Sequence, residues 1–369
     1  MKRMRRIIVL CLGIVLAVGG AVAFLWPSTP QLYRMTILPA LSGQDLAPRA
    51  LNDRGQVVGL MQTGKTGWRL FVWDRASGLQ NLGPALGGDC DINEQGQIAA
   101  TRLDPNGVTR ACVVDPNGAV RFLGSLGGLE SHARAINNRG QVVGRSLFAT
   151  LGSRIQRGHA FIWDAASGMR DLGAVDGQVS RAAAISEAGQ VFGFYEQRQV
   201  AGMRWQPCYW DPADAYLAAG VETPGRDYFD MNGNAWVLGK HVLENDGPHV
   251  VLWHEQHGIK KLFPYDRDID VLNPSTWLIN DANQVVYTEE QRGRWERFST
   301  KLFPPRHGAY LWDPNRGHIS LSRCLPKQTQ QFEVCDLSNK GCIVGIAHLK
   351  DGQTRLPILL EPISERWTD

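Results

Sequence analysis

Apolar residues in this chain fall into runs of strand length, broken by turns rich in Asn, Asp and Gly, and the runs return in a fixed order. The clearest set is Ser131-His132-Ala133-Arg134-Ala135-Ile136-Asn137, then Gln141-Val142-Val143-Gly144, His159-Ala160-Phe161-Ile162-Trp163-Asp164 and Met169-Arg170-Asp171-Leu172-Gly173. Pieces this short, rich in β-branched and aromatic residues, predict strands. Between the first two, Asn138-Arg139-Gly140 supplies residues that tolerate the positive backbone angles of a tight hairpin. Between the third and fourth, Asp164 to Gly168 predicts a turn whose carboxylate accepts nearby backbone N–H groups. The same device recurs at Asp74, Asp115 and Asp313.

One phrase anchors each set: an apolar residue, Asn or Ser, two variable residues, a turn residue, and an apolar run that usually ends in Gly. It stands at Leu51-Asn52, Ile92-Asn93, Ile136-Asn137, Ile185-Ser186, Met231-Asn232, Ile279-Asn280 and Leu337-Ser338, with spacings of 41, 44, 49, 46, 48 and 58 residues. A period of that length means one small sheet per repeat, and seven of them predict a closed ring, an all-β seven-bladed β-propeller over residues 33–363. A Trp precedes the Asp turn at Trp73, Trp163, Trp210, Trp253 and Trp312, with Val114 and Leu360 in the same slot of units two and seven. A large apolar side chain at a fixed strand position is read as packing between neighbouring sheets. Small residues such as Ala133, Ala135 and Ala182 to Ala184 suit a first strand crowded against the ring axis. The seventh unit stops after its third strand, at Leu356 to Glu361, and the missing fourth stands at the other terminus, Tyr33 to Leu38. Pairing the two would close the ring without an exposed edge. The longest insertion, Thr288 to His307, reads as a charged surface loop of unit six.

Charge changes the picture at the N-terminus. Lys2, Arg3, Arg5 and Arg6 precede an uncharged apolar run from Ile7 to Trp26. Twenty residues at roughly 1.5 Å each reach about 30 Å, enough to cross a bilayer as a signal-anchor helix with the basic flank in the cytoplasm. Ala21-Val22-Ala23 also fits the small-x-small site of a cleaved signal peptide. Both readings, for residues 1–26 with a linker at 27–32 and a tail at 364–369, place the domain in the periplasm or outside the cell. It would be held in the inner membrane through residues 7–26 if uncleaved. Without the four basic residues of the leader, 35 of the 39 Lys and Arg remain against 36 Asp and Glu. A domain without basic excess argues against a nucleic-acid partner. Six cysteines follow the leader, and in an oxidising compartment Cys324, Cys335 and Cys342, clustered within nineteen residues, are the best candidates for a disulfide.

The wording of the repeat resembles the bacterial extracellular HAF repeat, named for its His-Ala-Phe tripeptide. His159-Ala160-Phe161 carries it intact, beside Ala135-Ile136-Asn137, Gly140-Gln141-Val142-Val143-Gly144, Trp163-Asp164, Asp171-Leu172-Gly173 and Leu126-Gly127-Gly128. Units one to four match well, whereas units five to seven depart, with Trp253-His254 for Trp-Asp and Asn283-Gln284-Val285-Val286-Tyr287 lacking the closing Gly. The resemblance implies an exported propeller-like repeat protein and supplies no catalytic residues.

Candidate chemistry is sparse. His254-Glu255-Gln256-His257 lacks the spacing of a helical zinc-protease motif and reads as a strand end and polar turn. No phosphate-binding loop, nucleophile elbow or dinucleotide fingerprint is present, and no cofactor or metal is expected. Asp89 with Asp91, and Asp268 with Asp270, are spaced to share a strand face, as paired acids could. The strongest candidate is the mouth of the ring, where loops gather. One pleat before the Asn phrase stand Arg49, Cys90, Arg134, Ala183, Phe229, Trp277 and Cys335, which differ between units while the turns repeat. The candidate ligand-binding residues are Arg49, Asp91, His132 and Arg134, together with Arg181, Arg226, Asp227, Trp277 and Glu333. The expected role is a noncatalytic binding module for a protein, peptide or glycan. The alternative is a propeller enzyme, a hydrolase, lyase or cyclase, with its site at the channel mouth.

Overall fold

In a computed structural model of the chain, each Asn phrase sits at the turn between the two innermost strands of a small antiparallel sheet. The structure describes residues 32–39, 45–64, 67–148, 157–174, 179–199, 202–211, 227–243, 247–264, 277–291 and 306–363. The leader of residues 1–26 lies outside them. Among the described residues no helix is long and apolar enough to cross a membrane.

Blade 1 is β2 (Leu46–Leu51), β3 (Val57–Thr63), β4 (Gly67–Asp74) and β5 (Gly78–Pro84), preceded in the chain by β1 (Tyr33–Ile37). Blade 2 is β6 (Asp91–Ile92), β7 (Ile98–Leu103), β8 (Thr109–Val114) and β9 (Val120–Phe122). Blade 3 is β10 (Gly127–Ile136), β11 (Val142–Phe148), β12 (Arg157–Asp164) and β13 (Gly168–Gly173). Blade 4 shows three described strands, β14 (Ser180–Ile185), β15 (Val191–Gln199) and β16 (Gly202–Trp210). Blade 5 is β17 (Asp227–Met231), β18 (Val237–Leu243), β19 (Gly247–His254) and β20 (Gly258–Pro264). Blade 6 is β21 (Trp277–Ile279), β22 (Val285–Gln291), β23 (Arg306–Asp313) and β24 (Gly317–Ser320). Blade 7 runs β25 (Thr329–Leu337), β26 (Ile343–Leu349) and β27 (Arg355–Pro362), and β1 completes it. Tyr33 pairs with Pro362 and Ile37 with Ile358, as ring closure requires. The molecule is a seven-bladed β-propeller. Its strands trim the expected loop of unit six, since β22 runs to Gln291 and β23 starts at Arg306.

Register explains the repeated Trp. Trp73, Trp163, Trp210, Trp253 and Trp312 all pair with the first residue of their blade's second strand, and Val114 and Leu360 hold that slot in blades 2 and 7. Trp73 packs on Val344 and Leu359 of blade 7, and Trp210 on Val143 and Ile162 of blade 3. Each ring therefore fills the seam with the preceding blade, where water exclusion is worth most.

The closing Gly of the phrase has an equally local cause. In blades 1, 3, 4, 5 and 7 the first strand carries a bulge, at Arg49, Arg134, Ala183, Phe229 and Cys335. The bulge turns a first-strand carbonyl onto the facing residue of the second strand. A Cβ on Gly59, Gly144, Gly193 or Gly345 would collide with the oxygen of Ala47, His132, Arg181 or Glu333. Blades 2 and 6 have Ala100 and Tyr287 at that place, and their first strands are paired without a bulge. Gly and bulge go together because only Gly admits the close approach.

The six cysteines of the propeller are free, which corrects the expected disulfide. Cys324 belongs to the core at the blade 6–7 seam, whereas Cys335 and Cys342 pack against the core of the 7–1 seam. The sheet of blade 7 stands between the two groups.

Candidate functional site

The conserved grammar of the phrase builds a belt around one end of the axis. Each Asn Oδ1 accepts backbone N–H groups two and four residues on, as Asn280 does from Ala282 (3.1 Å) and Gln284 (2.9 Å). Its Nδ2 donates to the carbonyl of the corresponding residue in the next blade. Asn52 reaches Asn93 (3.0 Å), Asn93 reaches Asn137 (3.1 Å), and Asn137 reaches Ser186 (3.0 Å). Asn232 reaches Asn280 and Asn280 reaches Ser338, both at 3.0 Å. Where Ser replaces Asn, another bond spans the seam: the Glu187 N–H donates to the Gly233 carbonyl (3.0 Å), and the Lys340 N–H to Asp53 (2.8 Å). All seven seams are thereby bridged.

Inside this belt the seven first strands enclose an axial cavity of about 550 Å³. The residues at the bulge and its unbulged equivalents line it: Arg49, Cys90, Arg134, Ala183, Phe229, Trp277 and Cys335, of which Cys90 and Trp277 are buried in the cores between neighbouring blades. A bulge re-aims a side chain, so the scaffold can present a different group from each blade.

Three buried carboxyl groups, from blades 2, 5 and 7, belong to the lining. Asp91, Asp230 and Asp336 each immediately precede the apolar residue of their phrase and line the cavity. Asp91 accepts the N–H groups of Ile92 and of Ile136 in blade 3, both at 2.8 Å. Asp336 accepts those of Leu337 and of Leu51 in blade 1, again at 2.8 Å. Asp230 accepts that of Ile279 in blade 6 at 3.1 Å. These acids are seam staples as well as cavity lining. Burial raises the carboxyl pKa of Asp91 and of Asp230 to about 6, against the backbone donors and Arg134, which oppose the shift. Burial and then Asp91 raise that of Asp336 to about 8.

The rim above them is mixed in charge. Arg134 pairs with Asp89, and Glu333 pairs with His348 at 3.3 Å. Phe229 stacks on Trp277 with centroids 5.4 Å apart, and the Lys240 ammonium lies 5.4 Å and 5.1 Å from those two rings. Burial pushes the Cys90 and Cys335 thiols up, the latter to about 12, so neither is a thiolate at neutral pH.

Of the expected site residues, the cavity gathers Arg49, Asp91, Arg134, Trp277 and Glu333. Asp91 lies deep among the seam staples, not at the mouth. His132 points away to an exposed pairing with Glu130 at 3.4 Å, and Arg181 stacks 4.5 Å over Trp205 outside the cavity lining. Both expectations are corrected by the bulge: each residue sits two positions before the bulge residue, and the extra residue breaks the alternation that would have put them on one face. Asp227 opens β17, and Arg226 lies outside the described residues, as do Asp268 and Asp270. His249 and His254 belong to β19, and His257 to the turn after it, where His254 and His257 pack on Trp236. Among the described residues no group of three or more metal-ligating side chains is placed to hold an ion. Asp230 and Asp336 were missed, although their position before the apolar-Asn pair repeats that of Asp91.

No protein-family model matches the sequence, and no curated protein matches it. Solved structures match it in fold. The acylaminoacyl peptidase of Pyrococcus horikoshii aligns with a TM-score of 0.54 at 12% identity, over 82% of this chain and 49% of that one. A puromycin hydrolase aligns with a TM-score of 0.49 at 11% identity, over 88% of this chain and 52% of that one. The Dos1 propeller aligns with a TM-score of 0.49 at 10% identity, over 89% of this chain and 95% of that one. This chain thus spans about half the length of the two hydrolases. At such identities the shared property is the fold.

Proposed function

We propose that this chain is an exported binding module of the HAF-repeat type, and that its ligand enters the axial cavity. One observation carries the reading: the residues that line the cavity at equivalent places differ in kind from blade to blade, while the turn phrase that bridges the seams keeps Asn in five units and Ser in two. Arg, Cys, Ala, Phe and Trp stand at equivalent sites around the cavity, which gives it a wall without sevenfold symmetry, as an asymmetric ligand requires. The cavity volume suits a small molecule or the tip of a larger one.

Binding without catalysis is favoured by the lining itself. It contains no His, Lys or Ser among the described residues, its thiols are held protonated, and its three buried acids are engaged by backbone donors. The neighbours of these thiols are carboxyl groups, Asp89 and Asp91 beside Cys90 and Glu333 and Asp336 beside Cys335, whose charge disfavours the thiolate a nucleophile would need. A second reading, a propeller enzyme, draws on Asp336, whose raised pKa would keep a proton available at neutral pH. Export rests on the basic flank and the apolar run of residues 7–26. N-terminal sequencing of the mature chain separates cleavage, with Phe24 first, from an intact anchor.

The test is capture of envelope components by the full chain and by Ala183→Trp, which fills the cavity from a bulge position. Loss of the captured component in the variant supports the reading. An unchanged set of components would contradict it, and turnover of a captured component abolished by Asp336→Asn would favour the enzyme.

A further inference from the structure

The turns of the Asn phrases mark one end of the ring, and the hairpins that join second to third strands, with the segments leading into each blade, mark the other. At that other end blade 1 exposes Trp68, which pairs with Gln62 beside the β3–β4 hairpin. Blade 2 exposes Leu103, in the last rung before its hairpin. Blade 3 exposes Leu129 near the start of β10, and blade 4 exposes Trp205 in the half of β16 nearer its hairpin. The two leucines are 54% and 67% exposed. A single exposed leucine is ordinary, but four of the seven exposed large apolar side chains among the described residues stand at one end of four consecutive blades. Direct bonds join these blades there. The Leu86 N–H, beyond the last strand of blade 1, donates to the Thr101 carbonyl of blade 2 at 3.0 Å, and Arg110 of blade 2 donates to the Leu129 carbonyl of blade 3 at 2.6 Å. The four side chains therefore form an arc across an end face.

Arginines stand at the same end. Arg157 opens β12 of blade 3, and Arg181, near the start of β14 in blade 4, lies 4.5 Å over the Trp205 ring. Both are exposed, and neither pairs with a carboxylate among the described residues. An arginine stem lies along apolar surface while its guanidinium stays at the polar boundary. β1 begins at the opposite end, where Tyr33 pairs with Pro362, so the arc is remote from the point at which residues 1–32 join the ring. A leader inserted in a bilayer therefore does not by itself bring the arc to that bilayer.

We propose that this end face docks on the surface of an anionic phospholipid bilayer, with Trp68, Leu103, Leu129 and Trp205 entering the headgroup region and Arg157 and Arg181 meeting lipid phosphates. The proposal is independent of the axial ligand site. Two features select a bilayer over an acidic protein. The apolar groups stand singly on four blades, so a flat and deformable partner reaches all of them, whereas a protein interface is built around a contiguous packed core. Trp, Leu and Arg are also the side chains that settle together at headgroup level, and each arginine near an anionic leaflet adds to the attraction.

A polarity-sensitive fluorescent residue placed at 103, at 129 or at 259 in the full chain tests it, with vesicles in excess. One set of vesicles is an equal mixture of phosphatidylethanolamine and phosphatidylglycerol, the other phosphatidylcholine alone, and both carry a quencher at headgroup depth. Position 259 is the control, because Ile259 is exposed at the Asn end of blade 5. Positions 103 and 129 are expected to shift to the blue and be quenched by the anionic vesicles, with position 259 unchanged. Half-saturation is expected at about tenfold less lipid than with phosphatidylcholine. The variant Arg157→Gln with Arg181→Gln is expected to lose that preference by about tenfold while unfolding at an unchanged temperature. No response at 103 and 129, an equal response to phosphatidylcholine, or an equal response at 259 would each overturn the proposal. A response at 129 to polyglutamate with none to vesicles would overturn it as well, and would assign the face to an acidic protein.

Discussion

Asn280 shows how much of the ring one side chain can hold. It bonds Gln284 (2.8 Å), the Ser338 carbonyl of the next blade and two N–H groups of its own turn, all with 2% exposure. Truncation strands several buried partners at once, so Asn280→Ala should cost about 2–3 kcal/mol in urea unfolding. A loss indistinguishable from zero would mean the belt is ornamental. The aspartates make a different forecast. Asp336 is raised above its unfolded value near 4, so the folded state binds its proton more tightly between about pH 4 and about pH 8. Its contribution to stability is then fully present below pH 4 and falls as pH rises through 8. Asp336→Asn should therefore gain on the natural chain by at least about 1 kcal/mol between pH 5 and pH 8.5. A pH-independent difference would place the carboxyl in a more solvated setting. The apolar-Asn phrase was readable because each of its residues satisfies a local backbone demand. Asp230 and Asp336 were readable in principle, from their shared place before the phrase. The outward turn of His132 and Arg181 was not, since the bulge that breaks the alternation is visible only once the first strand is paired with the second.

Strand pairing turns those residues into blades, and two devices decide the register. The first is the bulge with its facing Gly. Gly144→Ala drives a methyl group into the His132 carbonyl and should cost about 1–3 kcal/mol, measured by thermal unfolding. Ala at position 100 of blade 2, which has no bulge, is natural. The second is β1. A chain lacking residues 33–38 leaves β27 as an open edge and should unfold at lower temperature and self-associate as concentration rises, read by sedimentation. An unchanged, monomeric ring would show that the seam between blades 7 and 1 holds without it. Closure, strand order and the Trp slot were all legible in the sequence, because a period of two within strands and of forty-odd between them leaves few alternatives. The disulfide was not: the three cysteines are close in sequence, yet the blade 7 sheet separates Cys324 from Cys335 and Cys342, and those two are free although they share a seam.

At the scale of the whole molecule, one ring serves two demands that compete for the same strands. The first strands must pack around an axis, which favours small residues, and they also supply the cavity wall. In blades 1, 3, 4, 5 and 7 the bulge eases the conflict by letting one residue leave the regular alternation. Those residues carry the variety and the proposed ligand site, while outer strands such as β20 repeat a plain exposed face. A photoreactive residue placed at 183, on the axis, and at 259, on the outermost strand of blade 5 where Ile259 is exposed, compares the two surfaces in the native cell. Crosslinking of one component from position 183 and none from position 259 is the predicted result. Crosslinking from position 259 with silence at position 183 would contradict an axial ligand site.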